Sequence, residues 1–416
     1  MSIIDHARKR IVAVLHEIER LKESDFPYSF SREAVALLQQ TFNSQKSVLD
    51  KVFPDTTPSV AQIECGASLH LIFLYLPFLG FLLRSTNVRN GFETYFPLLR
   101  LARIILSSNT KLIISSEWDF SPFVYRSIPA LPEFVLIGLP AHESGNPLLT
   151  PLAGHELGHS VWKTYNHSKQ FEPIIDKHVV EELLTERHWN NYQKIYPGIK
   201  KNDIKAGTDL FTSNTWINAY NWALMQTEEI FCDIIGLRLF AESYLHAFAY
   251  LISPGRPGRR SLRYPNNRRR ASLLMEAAKA LDVEVEPNFA SDFKDGDEPD
   301  EPATKLLVSI ADDVSKALMP DLVKLTQNFA DNKAVPKRDR DKVKNIRNEF
   351  QNWVAPTAKQ ASLSDILNAG WECALDENLW SNVHQIKPED RNRVLRDLIL
   401  KSMEVTEIYE RLKQTT

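Results

Sequence analysis

Residues 150–165, TPLAGHELGHSVWKTY, decide how the rest of the chain is read. They contain His155-Glu156-Leu157-Gly158-His159, an H-E-x-x-H pattern. On an α-helix, side chains four positions apart share a face, so His155 and His159 can both reach one metal ion. Glu156 lies one step round, near a water at an open coordination position, where it can serve as a general base rather than a ligand. Thr150 suits an N-cap and Pro151 the first helical position, so the local sequence predicts a helix starting here.

A metal site needs a third protein ligand, and WALMQTEEIFCDIIGLRLF (222–240) offers one. Glu229 and Asp233 are four apart in a strongly helical stretch, so both can face the first helix. The expected division of labour has Glu229 on the metal. Asp233 then accepts a hydrogen bond from the second ring nitrogen of a ligand histidine, His155, fixing its tautomer and orientation. Taken alone, Glu228, Glu229 and Asp233 would read as a solvated helix face.

The 416 residues are enough for two or three domains, and 43% hydrophobic with 25% charged content is that of an ordinary soluble protein. A net charge of −3 gives no global reason to expect nucleic acid or an anionic membrane as partner. Cys65, Cys232 and Cys373 have no metal-binding spacing and form no disulfide framework, so a reducing cytoplasm is the expected compartment. MSIIDHARKRIVAVLHEIERLKESDF interleaves charge with apolar residues, which predicts an amphipathic surface helix rather than a signal peptide. Cys65 to Leu83 contains no Asp, Glu, Lys or Arg and is about long enough to span a bilayer. His70, Pro77 and Gly80 within it favour a buried core helix over membrane association.

Residues 1–53 read as two helices, and the first hundred or so as all-helical. From Lys111 the character changes to short apolar runs, KLIISSEWDF and PEFVLIGLP, with Phe134 to Leu139 a strand. His142 and Glu143, in the loop that follows, read as exposed. His178 and His188 have no partner at i+4 and read as exposed or satisfied structural histidines. Trp216, Tyr220 and Trp222 form a stripe expected in the core. Seven arginines between Arg256 and Arg270 make a basic loop, open to two readings: a phosphate or nucleic-acid patch, or an active-site loop. SDFKDGDEPDEP (291–302) reads as an acidic linker, and 303–416 as several helices forming a cap or interaction module.

The combined motifs resemble the gluzincins, zinc peptidases whose third ligand is a glutamate on a second helix. The separation of 70 positions between His159 and Glu229 looks most like the HtpX and CAAX-prenyl-peptidase family. That family also has a His-Pro pair with an arginine six positions after the histidine. Tyr264-Pro265-Asn266-Asn267-Arg268-Arg269-Arg270 is the matching segment, with Tyr264 in the place of the histidine and Arg270 as the arginine. The resemblance covers about residues 130–280. It implies that this region lies by the active site and helps bind the carbonyl oxygen as it becomes an oxyanion, a job a tyrosine hydroxyl can do as a neutral donor. It also implies a strand before the active-site helix whose edge pairs with extended substrate.

The expectation is thus a mainly α-helical α+β fold. It comprises an N-terminal helical region (1–110), a zincin-like core with a small sheet (111–290), the acidic linker and a C-terminal helical region (303–416). Zn²⁺ would be held by His155, His159 and Glu229, backed by Asp233. Glu156 would be the base, with Tyr264 and Arg270 assisting, in hydrolysis of a protein or peptide substrate in the cytoplasm. The competing expectations are a zinc-stabilised interaction protein without activity, and a nucleic-acid-associated regulator using the arginine-rich loop.

Overall fold

The computed structural model describes residues 2–53, 56–87, 91–125, 128–205, 210–255, 257–356, 361–380 and 386–415. It is mainly α-helical with one small mixed sheet, as the sequence predicts. The chain falls into two compact units, residues 1–95 with 107–145, and 96–106 with 146–416.

In the first unit, α1 (Ile3–Lys22) begins at a capping box. Ser2 Oγ accepts from the Asp5 backbone N–H, and Asp5 Oδ2 from that of Ser2. The apolar face of α1, Ile4, Ala7, Ile11, Ile18 and Leu21, is buried with Ala34, Val35, Leu38, Phe42 and Leu49 of α2 (Ser29–Asp50). Both helices pack on α3 (Pro58–Arg84). The sheet has the order β1-β3-β2: β1 (Lys111–Glu117) runs parallel to β3 (Phe134–Pro140), and β2 (Phe123–Tyr125) antiparallel to it. All of β3 is buried, which is why it reads as a continuous apolar run rather than an alternating one.

Two expectations need correcting in this unit. β3 is the central strand, flanked by β1 along its whole length and by β2 at 136–138, so its edges are not open to an extended substrate. The apolar helix expected in the core buries one face only. Cys65, Ser68, Ile72, Tyr75, Phe78, Phe81 and Leu82 are inside, while Ile63, Phe73, Leu76 and Leu83 are exposed. By length and composition alone, Pro58–Asn87 would also suffice to cross a membrane. His142, as expected, is exposed, in a short 3₁₀ turn at Ala141–Glu143, with its ring stacked near that of Phe120.

α4 (Phe92–Ile105) runs from the first unit into the second. The second unit continues with α5 (Leu152–Thr164), α6 (His167–Leu183), α7 (Glu186–Ile195), α8 (Leu210–Phe240), α9 (Glu242–Ile252) and α10 (Asn267–Ala280). It is completed by α11 (Pro302–Ala317), α12 (Met319–Asn332), α13 (Arg340–Gln351), α14 (Leu363–Leu375) and α15 (Arg391–Thr415). The organising element is α8, apolar nearly all round its C-terminal half, as a helix must be when neighbours cover every side. α5, α6, α10, α11, α12 and α14 all pack on it. Of the C-terminal helices, α11, α12 and α14 therefore pack on α8, while α13 and α15 pack on α14.

Two side chains from α14 tie the ends of the paired helices. Asn368 accepts from the Ser243 backbone N–H at 2.8 Å and donates to the Phe240 carbonyl at 2.9 Å, spanning the turn at Ala241, where φ is 52°. The Trp371 indole N–H donates to the Leu148 carbonyl at 2.9 Å, just before α5. Thr150 does not cap that helix. A 3₁₀ turn at Pro147–Leu149 leads into it, Thr150 is itself in helical conformation, and α5 begins at Leu152. Trp216 is core as expected, whereas Tyr220 and Trp222 are half-buried.

A candidate metal centre between two helices

α5 and α8 run antiparallel and meet through small residues. A Cβ on Gly158 would stand 2.8 Å from Cys232 Cα, and one on Gly154 would stand 2.9 Å from the Phe240 ring and 3.1 Å from Gly236 Cα. Side chains of ordinary size would hold the axes farther apart. The close approach brings the histidines of one helix onto the carboxylates of the other.

His155 Nε2 lies 3.2 Å, and His159 Nε2 3.5 Å, from the same Glu229 oxygen, Oε2. One ligand atom from each of the three residues lies within 4.8 Å of the others, and all three residues are buried. Tetrahedral zinc with metal–nitrogen distances of about 2.0–2.1 Å would hold its ligand atoms about 3.4 Å apart, so these residues fit that ion. The other ring nitrogens are already engaged. His155 Nδ1 is 2.8 Å from Asp233 Oδ1, and His159 Nδ1 is 2.8 Å from Glu228 Oε1 and 3.2 Å from Cys232 Sγ. A carboxylate behind each ring fixes the tautomer that leaves Nε2 for a metal.

Asp233 is the hub behind His155. It also accepts from the Tyr244 hydroxyl at 2.7 Å and, on both oxygens, from Arg270: Nε to Oδ2 at 2.6 Å and Nη2 to Oδ1 at 2.7 Å. Burial would raise the Asp233 carboxyl, but Arg270, and then His155, outweigh it and hold it at about 2. Burial would lower His155. Hydrogen bonds to Asp233 and Glu229 and the charges of Asp233 and Glu156 outweigh burial and raise the imidazole to about 10. Burial works against the charge on Glu229 as well, and both histidines hold its carboxyl well below the ordinary range.

The remaining expected residues fall around this centre. Glu156 is buried on α5, and its charge acts on both His155 and Tyr264. Tyr264 lies in the loop before α10, its ring 4.7 Å from the Arg270 guanidinium carbon. Burial and the charge of Glu229 push its hydroxyl above the ordinary tyrosine range, so it stays a neutral donor. Arg270, expected to assist at the reacting carbonyl, is buried with its guanidinium on both oxygens of Asp233.

Arg256 of the arginine-rich loop lies outside the described residues. The others mostly meet carboxylates: Arg259 with Asp300 at 2.8 Å, Arg260 with Asp312 at 2.8 Å, Arg263 with Glu229 at 2.5 Å and Arg269 with Asp313 at 2.9 Å. Arg268 donates its backbone N–H to Asp295 at 2.8 Å. The stretch read as an acidic linker is the counterpart of this loop: Phe293 is fully buried, the Arg260 backbone N–H donates to the Asp297 carbonyl at 3.1 Å, and the Asp297 backbone N–H donates to the Gly258 carbonyl at 2.8 Å. His188 is a satisfied buried histidine, 3.1 Å from Asp313, and His178 pairs with Glu181 at 3.2 Å.

Glu228, Tyr244 and Arg263 are the site residues the sequence reading passed over. Glu228 had a signal: if His155 faces Asp233 on an antiparallel partner, then His159 faces residues 228–229. Arg263 belonged to the arginine-rich stretch that was open to an active-site reading, whereas Tyr244, beyond a turn, had no signal. No family model, curated protein or solved structure matches the chain.

Proposed function

We propose that this chain is a zinc-dependent metallopeptidase of the gluzincin type. The observation that carries the reading is the convergence of His155 Nε2, His159 Nε2 and Glu229 Oε2, with a carboxylate behind each imidazole. His155, His159 and Glu229 hold the ion, Asp233 and Glu228 orient the two rings, and Arg270 and Tyr244 hold Asp233. Zinc supplies a Lewis acid and makes a water nucleophilic near neutral pH. Glu156 takes the proton of the attacking water and returns it to the leaving amine of a protein or peptide substrate. Tyr264 donates its neutral hydroxyl to the carbonyl oxygen as charge develops there. Burial of the cluster excludes bulk water and strengthens each of these interactions. The three cysteines, all buried and none in a disulfide, support action in the cytoplasm.

The test is metal content by mass spectrometry together with digestion of a random peptide library. Wild type should carry close to one zinc per chain and cleave peptides. The His155→Ala, His159→Ala double variant should lose both properties, and Glu156→Gln should keep the zinc and lose cleavage. Zinc with no cleavage by wild type would favour a metal-stabilised interaction protein. Absence of zinc after exposure to excess metal would overturn the reading.

A further inference from the structure

The two oxygens of Glu229 face different partners. Oε2 lies between the Nε2 atoms of His155 and His159, while Oε1 accepts a hydrogen bond from Arg263 Nε at 2.5 Å. Glu229 has no exposure, so its carboxylate has little freedom except rotation about its own bond. We propose that Arg263 is the positioning residue of the metal centre: it holds Glu229 as a ligand through one oxygen, presenting Oε2 to the ion and keeping Oε1 away from it. The inference rests on the peptidase reading of the site.

The loop carrying Arg263 is built to deliver it. Arg260 sits three positions earlier, buried, with Nη1 and Nη2 on the two oxygens of Asp312 at 2.9 and 2.8 Å and a further contact to Glu298 at 3.2 Å. Such a two-pronged pair fixes direction as well as distance. On the far side, the Arg263 backbone N–H donates to Ser261 Oγ at 3.2 Å, and Asn266 ties the loop to the Gly296 carbonyl at 3.2 Å and the Gly296 backbone N–H at 2.9 Å. The acidic stretch thereby clamps the loop at both ends of 260–266, and the clamped loop points one guanidinium at the third ligand. One-oxygen binding has a chemical consequence. A carboxylate that closed on the ion with both oxygens would occupy the position needed for water, and four-coordinate catalytic sites keep that position open. Donation from a cation also draws charge off the ligand, which leaves the ion a stronger Lewis acid.

A cation this close to the ion also repels it, so the sign of the net effect on affinity separates a positioning role from a competing one. Loss of a hydrogen-bonded partner behind a metal ligand typically weakens binding about 10–100-fold. The experiment is zinc affinity by competition with a chromophoric chelator, on full-length wild type, Arg263→Ala and Arg263→Lys. Unfolding of each metal-free protein is followed alongside, to show that the half-exposed substitution leaves the fold intact. Arg263→Ala should bind zinc about 10–100-fold more weakly than wild type, with Arg263→Lys in between because it keeps a charged donor on a less rigid stem. Zinc affinity in Arg263→Ala equal to or tighter than wild type would overturn the proposal while leaving the metal site standing. Failure of wild type to bind zinc would remove the peptidase reading, and the inference with it.

Discussion

Gly158 of α5 packs on Cys232 of α8 so closely that a Cβ would come within 2.8 Å of a backbone atom, which cannot swing aside as a side-chain end can. Gly158→Ala should therefore wedge the helices apart where the ligands converge. The expected cost is about 1–3 kcal/mol of stability, as for overpacking elsewhere. Zinc affinity should fall together with the urea midpoint. An alanine variant with wild-type affinity and midpoint would mean that the close approach is dispensable.

Asp233 and Arg270 should behave as a coupled pair. Removing either partner of a buried ion pair leaves a charge without compensation and costs about 3–5 kcal/mol. Asp233→Ala and Arg270→Ala should each cost that much, and the double variant clearly less than the sum, in equilibrium unfolding of the metal-free protein. Additive losses would show that the two side chains act independently.

Zinc should act as a cross-link between α5 and α8, because its ligands come from both. At free zinc 100 times the dissociation constant, the stabilisation is about 2.7 kcal/mol if only the folded chain binds. Thermal unfolding should shift upwards with zinc in wild type and in Glu156→Gln. It should not shift in the His155→Ala, His159→Ala variant.

Asp313 predicts an acid limb away from the metal site. Burial would raise its carboxyl, but His188, Arg269 and Arg187 hold it at about 2 against a reference of 3.8. Because the folded value is the lower one, the unfolded chain takes up the proton first. The stabilisation is full above the reference value and is lost as pH falls through the window between the two. Asp313→Asn should flatten the dependence of the unfolding free energy on pH across that window. An unchanged slope would assign the acid sensitivity elsewhere.

The convergence of His155, His159 and Glu229 was legible because helical periodicity turns a spacing in sequence into a face in space. His155 with His159, and Glu229 with Asp233, need nothing more than the number four and a helix. The strand at Phe134 and the mainly helical character were legible for the same local reason. Beyond α5, which the Glu229 and Asp233 spacing indicated, what α8 lies against was not legible, since a helix covered on nearly all sides has no preferred face. The apolar run of α3 misled in another way: composition shows that a segment can be buried and not how many neighbours the fold provides. The role of Arg270 was hidden by the same gap between contact and sequence. Its partner stands 37 positions away on another helix. Arg263, on a loop with no periodicity, stood out only as one of seven arginines in a stretch open to an active-site reading.

The clasp between the arginine-rich and acidic stretches has an evolutionary corollary. Arg260 is locked to Asp312 and Arg269 to Asp313, both on α11, and Arg259 pairs with Asp300 of the acidic stretch, so the charges of the loop are meaningful only beside those of its partners. A lone substitution at Arg260 would strand a carboxylate in the interior. In diverging descendants these positions should consequently be replaced in tandem and drift as one unit of inheritance, although 41 to 52 positions separate the paired residues.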